Sequence, residues 1–247
     1  MGNSASAWDT TGAVLLLLWA VAMWAAVGFL AYARRRWSAQ PWIYSAGIGV
    51  VALGVLGQIG HIQEHFAQAG YWVLHPNDKP WMTPWGTGLA NGMGQVDTSK
   101  PSLGMEILHL TGNFIFLAGL VAIMIVTRPT PGARSRKWGR MGTWMQGIHG
   151  LEHLSLTLSV AFGAKQAIGL STWFGLLDPG PGLWTYRIWW HLIANLIGSI
   201  IFGIAVYHLW HERSALRAAH SRPETSPASG RTPQPLPAPP TGASVRS

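Results

Sequence analysis

Six histidines and two glutamates stand at helical spacing inside apolar sequence, and these are residue types that hold metal ions. The stretch "QIGHIQEH" supplies Gln58, His61, Glu64 and His65. The stretch "QGIHGLEH" supplies Gln146, His149, Glu152 and His153, so the pattern Q-x-x-H-x-x-E-H recurs at an offset of 88. Positions i, i+3 and i+4 share a helix face, which makes each pair of imidazoles and its carboxylate project together. A second recurrence, "HLTGN" with "HLIAN" at an offset of 82, pairs His109 with His191 and Asn113 with Asn195. Ionisable groups inside a membrane are costly, roughly 2.5–3.5 kcal/mol for an acidic residue at a helix centre. A divalent metal offsets that cost by accepting imidazole nitrogen and carboxylate oxygen at once. The expected ligands are therefore His61, Glu64, His65, His109, His149, Glu152, His153 and His191, with Glu64 and Glu152 also the candidate catalytic carboxylates. Gln58, Glu106, Asn113, Gln146 and Asn195 are expected one layer behind, where such groups orient ligands. Glu106 is the asymmetric member, because Ile188 occupies its place in the second copy.

The elements that must carry these residues are long apolar helices. Five segments, near 12–33, 42–69, 103–127, 141–163 and 184–210, have the length a bilayer requires, roughly 20 helical residues. The two recurrences divide the chain into a leading helix at 12–33, preceded by residues 1–11, and two parallel copies of a helix–loop–helix unit. Repeat one covers 42–127 with a loop at 70–102; repeat two covers 141–210 with a loop at 164–183. The loops also align, Trp85 falling on Trp173, Leu89 on Leu177 and Gly92 on Gly180. The expected fold is all-α, an integral membrane bundle of five transmembrane helices. Both loops, long and without helices of their own, are expected to lie over the site, because such loops are usually functional when they are ordered. Gly47, Gly49, Gly54, Gly57 and Gly60 of the second segment are expected to admit close helix packing.

Composition bounds the remaining chemistry. Only 11% of the 247 residues are charged, against about 25% in an ordinary soluble domain. Fifteen tryptophans suit the aromatic belts at membrane interfaces. The absence of cysteine excludes disulfides, thiolate ligands, iron–sulfur clusters and a cysteine nucleophile. The net charge of +8 is a topology signal: of the 17 Lys and Arg, all but Lys79, Lys100, Lys165 and Arg187 fall on one side of the five spans. By the positive-inside rule this predicts a multi-pass cell-membrane protein with residues 1–11 outside and the C-terminus in the cytoplasm, and no nucleic-acid partner. Residues 213–247, rich in Pro and Ser, are expected to be a disordered cytoplasmic tail. His208 and His211 are read as helix-packing histidines, His75 as a loop histidine, and Arg187 as a side chain reaching to the outer interface.

The H-x-x-E-H pattern resembles that of the inverzincin zinc proteases, but the soluble fold around that motif is missing here. The helical histidines also resemble those of the histidine-rich membrane di-iron oxygenases, the alkane hydroxylases and fatty-acid desaturases. Those families carry H-x-x-x-H and H-x-x-H-H on the cytoplasmic side, so the resemblance implies only a histidine-rich dimetal site. As a whole the chain resembles an uncharacterised family of bacterial polytopic membrane proteins, which implies no activity. The expected function is that of a non-haem dimetal oxidoreductase activating O2 on a lipophilic small molecule within the lipid bilayer, served by an electron-donor protein. Two metal ions are expected, iron first, with copper or zinc as alternatives. One alternative function is electron transfer through b-type haem held by facing histidines. Others are a non-redox metal enzyme and a metal or proton transporter.

Overall fold

A computed structural model describes residues 5–37, 40–76, 78 and 81–221. The chain is all-α, with seven α-helices and one 3-10 segment and no strand among the described residues. The elements are α1 (Ala7–Arg36), α2 (Pro41–Leu74), α3 (Pro84–Gly94), α4 (Leu103–Val126), α5 (Arg134–Ala161), the 3-10 segment Leu170–Gly175, α6 (Pro181–His211) and α7 (Arg213–Ser221). Helices α2, α4, α5 and α6 form a ring in which α2 and α5 each pack against both α4 and α6. Helix α1 lies outside the ring against repeat one, touching α2, α3 and α4. The large apolar core fills the end of the ring away from the histidines, around Phe116, Leu120, Ile123, Val126, Phe202 and Leu209.

Among the described residues, four helices, α1, α2, α4 and α6, are long and apolar enough to cross a membrane. Four of the five expected spans meet that test; the fifth, α5, does not meet it on composition. Helix α5 has the length, but Arg134, Arg136, Lys137 and Arg140 occupy its first turns, and Gln146, His149, Glu152 and His153 its middle. It is turned inside out relative to a soluble helix. It buries Gln146, His149, Glu152 and His153 and exposes Met141, Trp144, Ile148, Leu151 and Leu158.

Two other expectations change. Loop one contains a helix, α3, despite a glycine-rich sequence of low helix propensity. Thr83 caps it, its side chain accepting from the Gly86 amide, and Pro84 occupies its first turn, where a missing N–H costs nothing. The glycines let it pack closely: a Cβ on Gly92 would lie 2.3 Å from the Asp9 carbonyl oxygen. The expected tail begins with helix α7, which docks through buried Leu216 and His220. The His220 Nε2 lies 2.8 Å from the Val126 carbonyl at the end of α4. Residues 222–247 and 1–4 lie outside the described residues. In the second loop Trp173 and Phe174 take left-handed backbone conformations, φ 48° and 54°, which bulky residues rarely adopt.

The glycine expectation for α2 divides. Gly54 meets Gly119 of α4 so closely that a Cβ would come 2.7 Å from the Gly119 Cα, and Gly47 and Gly57 face Val126 and Ile115. Nothing lies within 4 Å of the Cβ positions of Gly49 and Gly60. Gly54→Leu should therefore destabilise the protein by about 1–3 kcal/mol through overpacking, while Gly49→Ala should leave it unchanged or slightly more stable. Thermal unfolding in detergent distinguishes the two; equal behaviour would contradict the close α2–α4 crossing.

Candidate functional site

The ring of four helices brings all six repeated histidines together. Within α2, His61 and His65 have ring centroids 4.7 Å apart, and within α5 His149 and His153 repeat that separation at 4.7 Å. His61 lies 6.0 Å from His109, and its repeat mate His149 lies 6.0 Å from His191. The copies also interlock. His65 stacks on His191 at 5.8 Å with ring planes 6° apart; His153 stacks on His109 at 5.6 Å and 4°. His109 and His191 face each other at 5.8 Å. The matched distances describe two equivalent halves about an axis running between α4 and α6.

The ring nitrogens show how the cluster is poised. The Nδ1 atoms of His109 and His191 each lie 2.8 Å from a carbonyl one turn earlier, that of Met105 and that of Arg187. A carbonyl only accepts, so Nδ1 carries the proton in both rings and Nε2 keeps its lone pair. Among the described residues, buried His65 Nδ1, His153 Nδ1 and Nε2, and His191 Nε2 have no hydrogen-bond partner. Buried polar atoms are ordinarily satisfied, and exceptions call for an explanation. His61 Nε2 and His65 Nε2 are 3.2 Å apart. Two imidazoles on one ion at about 2.0–2.1 Å each have their nitrogens about 3 Å apart. Among the described residues, however, no group of three or more His, Asp or Glu is arranged as a ready-made metal site.

The glutamates do something else. Glu64 accepts from the Thr83 amide at 2.9 Å, from the Thr83 hydroxyl, and from Gln68 Nε2 at 3.2 Å. Glu152 accepts from the Ser171 amide at 2.7 Å and from Trp190 Nε1 at 3.1 Å. Thr83 and Ser171 are themselves related by the offset of 88. Each copy thus uses its H-x-x-E-H glutamate to clamp its own loop, repeat one at Thr83, which caps α3, and repeat two at Ser171 in the 3-10 segment. Glu152 keeps one tie to the cluster, with Oε2 3.4 Å from His149 Nδ1.

The surrounding polar residues brace helices. Asn113 and Asn195 donate to the carbonyls of His109 and His191, each at 2.9 Å. Asn195 Nδ2 also lies 3.4 Å from His149 Nε2. Gln146 donates to the Asn113 side chain, tying α5 to α4. Gln58 donates to Ser199 at 2.9 Å, tying α2 to α6. Neither glutamine is hydrogen-bonded to a histidine as expected, because each sits almost a full turn below it. Glu106 is 1% exposed and pairs with Arg187 at 2.8 Å, so Arg187 turns inward rather than reaching to the interface. The signal for this pair was present in the sequence: Glu106 lacks a repeat mate and Arg187 is a lone cation in an apolar stretch, and buried charges are ordinarily paired. His75, at the end of α2, stacks on Tyr71.

Two cavities reach the histidines. One of about 340 Å³ lies beside the two loops, bounded by Trp81, Gln166, Lys165 and Arg187, and is lined also by His109 and His191. The other, about 240 Å³, is apolar. It lies between α1, α2, α3 and α4, walled by Trp19, Leu56, Trp85 and Leu89, and touches His61, His65 and His109.

A model of DUF6008, a family of unknown function, matches residues 1–234, nearly the whole chain, so the protein belongs to that family. No curated protein and no solved structure matches the chain.

The clamps are separable by mutation. Glu64→Ala should speed amide hydrogen exchange around Thr83 and leave Ser171 protected, and Glu152→Ala should do the reverse. A hydrogen bond to a charged group contributes about 1.5–3 kcal/mol, enough to raise local exchange at least tenfold. Unchanged exchange in both variants would contradict the clamp.

Proposed function

We propose that the protein is an integral membrane metalloprotein whose metal is held by imidazoles from both repeats, and that it carries out oxidation chemistry on a lipophilic small molecule. The observation that carries this reading is the convergence of six histidines, four of them buried, with ring nitrogens that lack any partner. A transition metal satisfies those nitrogens together, and histidine is the ligand that iron, copper and zinc accept alike. His65, His153, His109 and His191 are the inner ligands, with His61 and His149 beside them. The matched halves favour two equivalent metal positions, as in dimetal bundles built from facing helices. Glu64 and Glu152 serve as loop clamps, and Glu152 also orients His149, as carboxylates behind ligating histidines do. We assign iron as the metal; with both carboxylates engaged elsewhere, copper is the second reading. Such a metal, when bound, supplies the one-electron chemistry that O2 requires.

The apolar cavity supports a lipophilic substrate. Its walls include Leu56 and Trp85, both exposed on the flank of the bundle, so a molecule dissolved in the bilayer meets His61 and His109 without passing through water. The haem alternative is less well supported. Every ring of the cluster contacts at least two others, leaving no slot for a macrocycle. A transport path is also disfavoured, because beyond Gln58 and Asn195 the ring is closed by the apolar core around Phe116 and Phe202.

Five crossings with the N-terminus outside remain our reading of the topology. Helix α5 is flanked by α4 and α6 and presents an apolar face outward, as a lipid-exposed helix must.

Metal analysis and an absorbance spectrum of the purified full-length protein test the proposal. Stoichiometric iron without a Soret band is expected. His65→Ala and His153→Ala should each lower metal affinity by at least about tenfold while circular dichroism shows the helices intact. Full metal content in both variants, or a haem spectrum in the wild type, would overturn it.

A further inference from the structure

A third cavity opens towards the end of the bundle opposite the histidines and, sharing Leu56 with the apolar cavity but touching no histidine of the cluster, plays no part in the chemistry proposed above. It holds about 620 Å³ and is walled by α2 between Tyr44 and Leu56 and by α6 between Val206 and Trp210. Its lining is almost entirely apolar except at one end, where Arg213 and Arg217 of α7 close it. The wall along α2 spans twelve helical rises, about 18 Å, comparable to the hydrocarbon depth of one leaflet, about 15 Å.

The two arginines are held in place without being neutralised. Arg213 lies 4.3 Å over the Trp210 ring and donates to the Trp210 carbonyl at 2.8 Å. Arg217 lies 5.6 Å over the Tyr44 ring. Neither makes an ion pair among the described residues. The nearby Glu212 carboxylate is engaged with the Arg134 and Ser135 amides at the start of α5. The cavity therefore combines an apolar slot, whose longer wall along α2 matches one leaflet, with two guanidinium groups at one end that have no ion pair among the described residues. Guanidinium groups bind phosphate oxygens through paired, charge-assisted hydrogen bonds. A molecule that matches both halves has a long hydrocarbon chain and an anionic phosphate head.

We propose that this groove is a specific site for one anionic phospholipid. Its acyl chain occupies the slot between α2 and α6, and its phosphate group lies between Arg213 and Arg217. The concavity separates it from lipid lying loosely against the convex surface of the bundle. Because α7 contributes both cations and is anchored by buried Leu216 and His220, the bound lipid also pins α7 against α2.

Native mass spectrometry of the full-length protein in nonionic detergent tests this directly, titrating dioleoyl phosphatidylglycerol against dioleoyl phosphatidylcholine. One phosphatidylglycerol per chain is expected to bind at least tenfold more tightly than phosphatidylcholine, from roughly fivefold for each basic side chain near an anionic head group. Arg213→Gln with Arg217→Gln should abolish the preference. Ala52→Trp, at an exposed position in the slot, should weaken both lipids while the arginines remain. If the double variant does not insert, Arg217→Gln alone should lower the preference about fivefold. Equal binding of the two lipids by the wild type would overturn the proposal. So would unchanged phosphatidylglycerol binding in the arginine or Ala52→Trp variants, or competition by soluble glycerol phosphate at the same concentration as the lipid.

Discussion

Imidazole nitrogen that is shut away from water and has no hydrogen-bond partner dominates the interior of this protein. His65, His153 and His191 all bear such atoms, in a setting where an unsatisfied polar group costs more than it would near the surface. Six rings that approach within 4.7 to 6.0 Å of their neighbours tolerate one another as neutral groups, whereas several imidazolium charges at that spacing would repel in a low-dielectric interior. In His109 and His191, where Nδ1 faces a backbone carbonyl, the neutral ring presents a lone pair at Nε2, which is the feature the proposed metal would use. Much of the structure follows from holding those rings still. The asparagines fasten the histidine turns of α4 and α6, the glutamines cross-brace neighbouring helices, and the glutamates fix the loops that cover the cluster.

The repeated frame carries unequal additions, and these give the centre its two approaches. Among the described residues helix α1 packs chiefly on repeat one, through α2, α3 and α4, and α3 lies in the loop of that repeat. The apolar cavity exists where these extra helices meet α2 and α4. At the histidine end of the bundle the Glu106–Arg187 pair joins α4 to α6 beside His109 and His191, again without an equivalent in the other half. The two cavities therefore reach the histidine cluster from different sides, one beside the Glu106–Arg187 pair and one through the apolar walls that α1 and α3 add.

The sequence made the histidine cluster legible because a repeat supplies its own control: the same residues at the same spacing on two helices are informative where one motif would not be. The roles of the glutamates were not legible. Consecutive helical residues are about 100° apart, so with His61 and His65 both directed at the centre, Glu64 falls to one side and reaches Thr83 instead. Side-sharing at i and i+3 is too coarse to separate a ligand from a clamp. Helix α3 was hidden by its glycines, whose low propensity is compensated by contact with α1 that only the tertiary structure reveals. Helix α7 was hidden by the Pro- and Ser-rich sequence that follows it, although "RSALRAAHS" places Leu216 and His220 one turn apart on a single face. The hydropathy of α5 understated its place in the bundle, because its polar residues are gathered on the buried side.

X-ray absorption at the metal edge of the purified, metal-loaded protein addresses the central claim most directly, since it counts and identifies the atoms bound to the ion. The account predicts a first shell dominated by nitrogen, with the outer-shell scattering of several imidazole rings at each metal. A shell dominated by oxygen, a porphyrin signature, or a spectrum that His153→Ala leaves unchanged would contradict it.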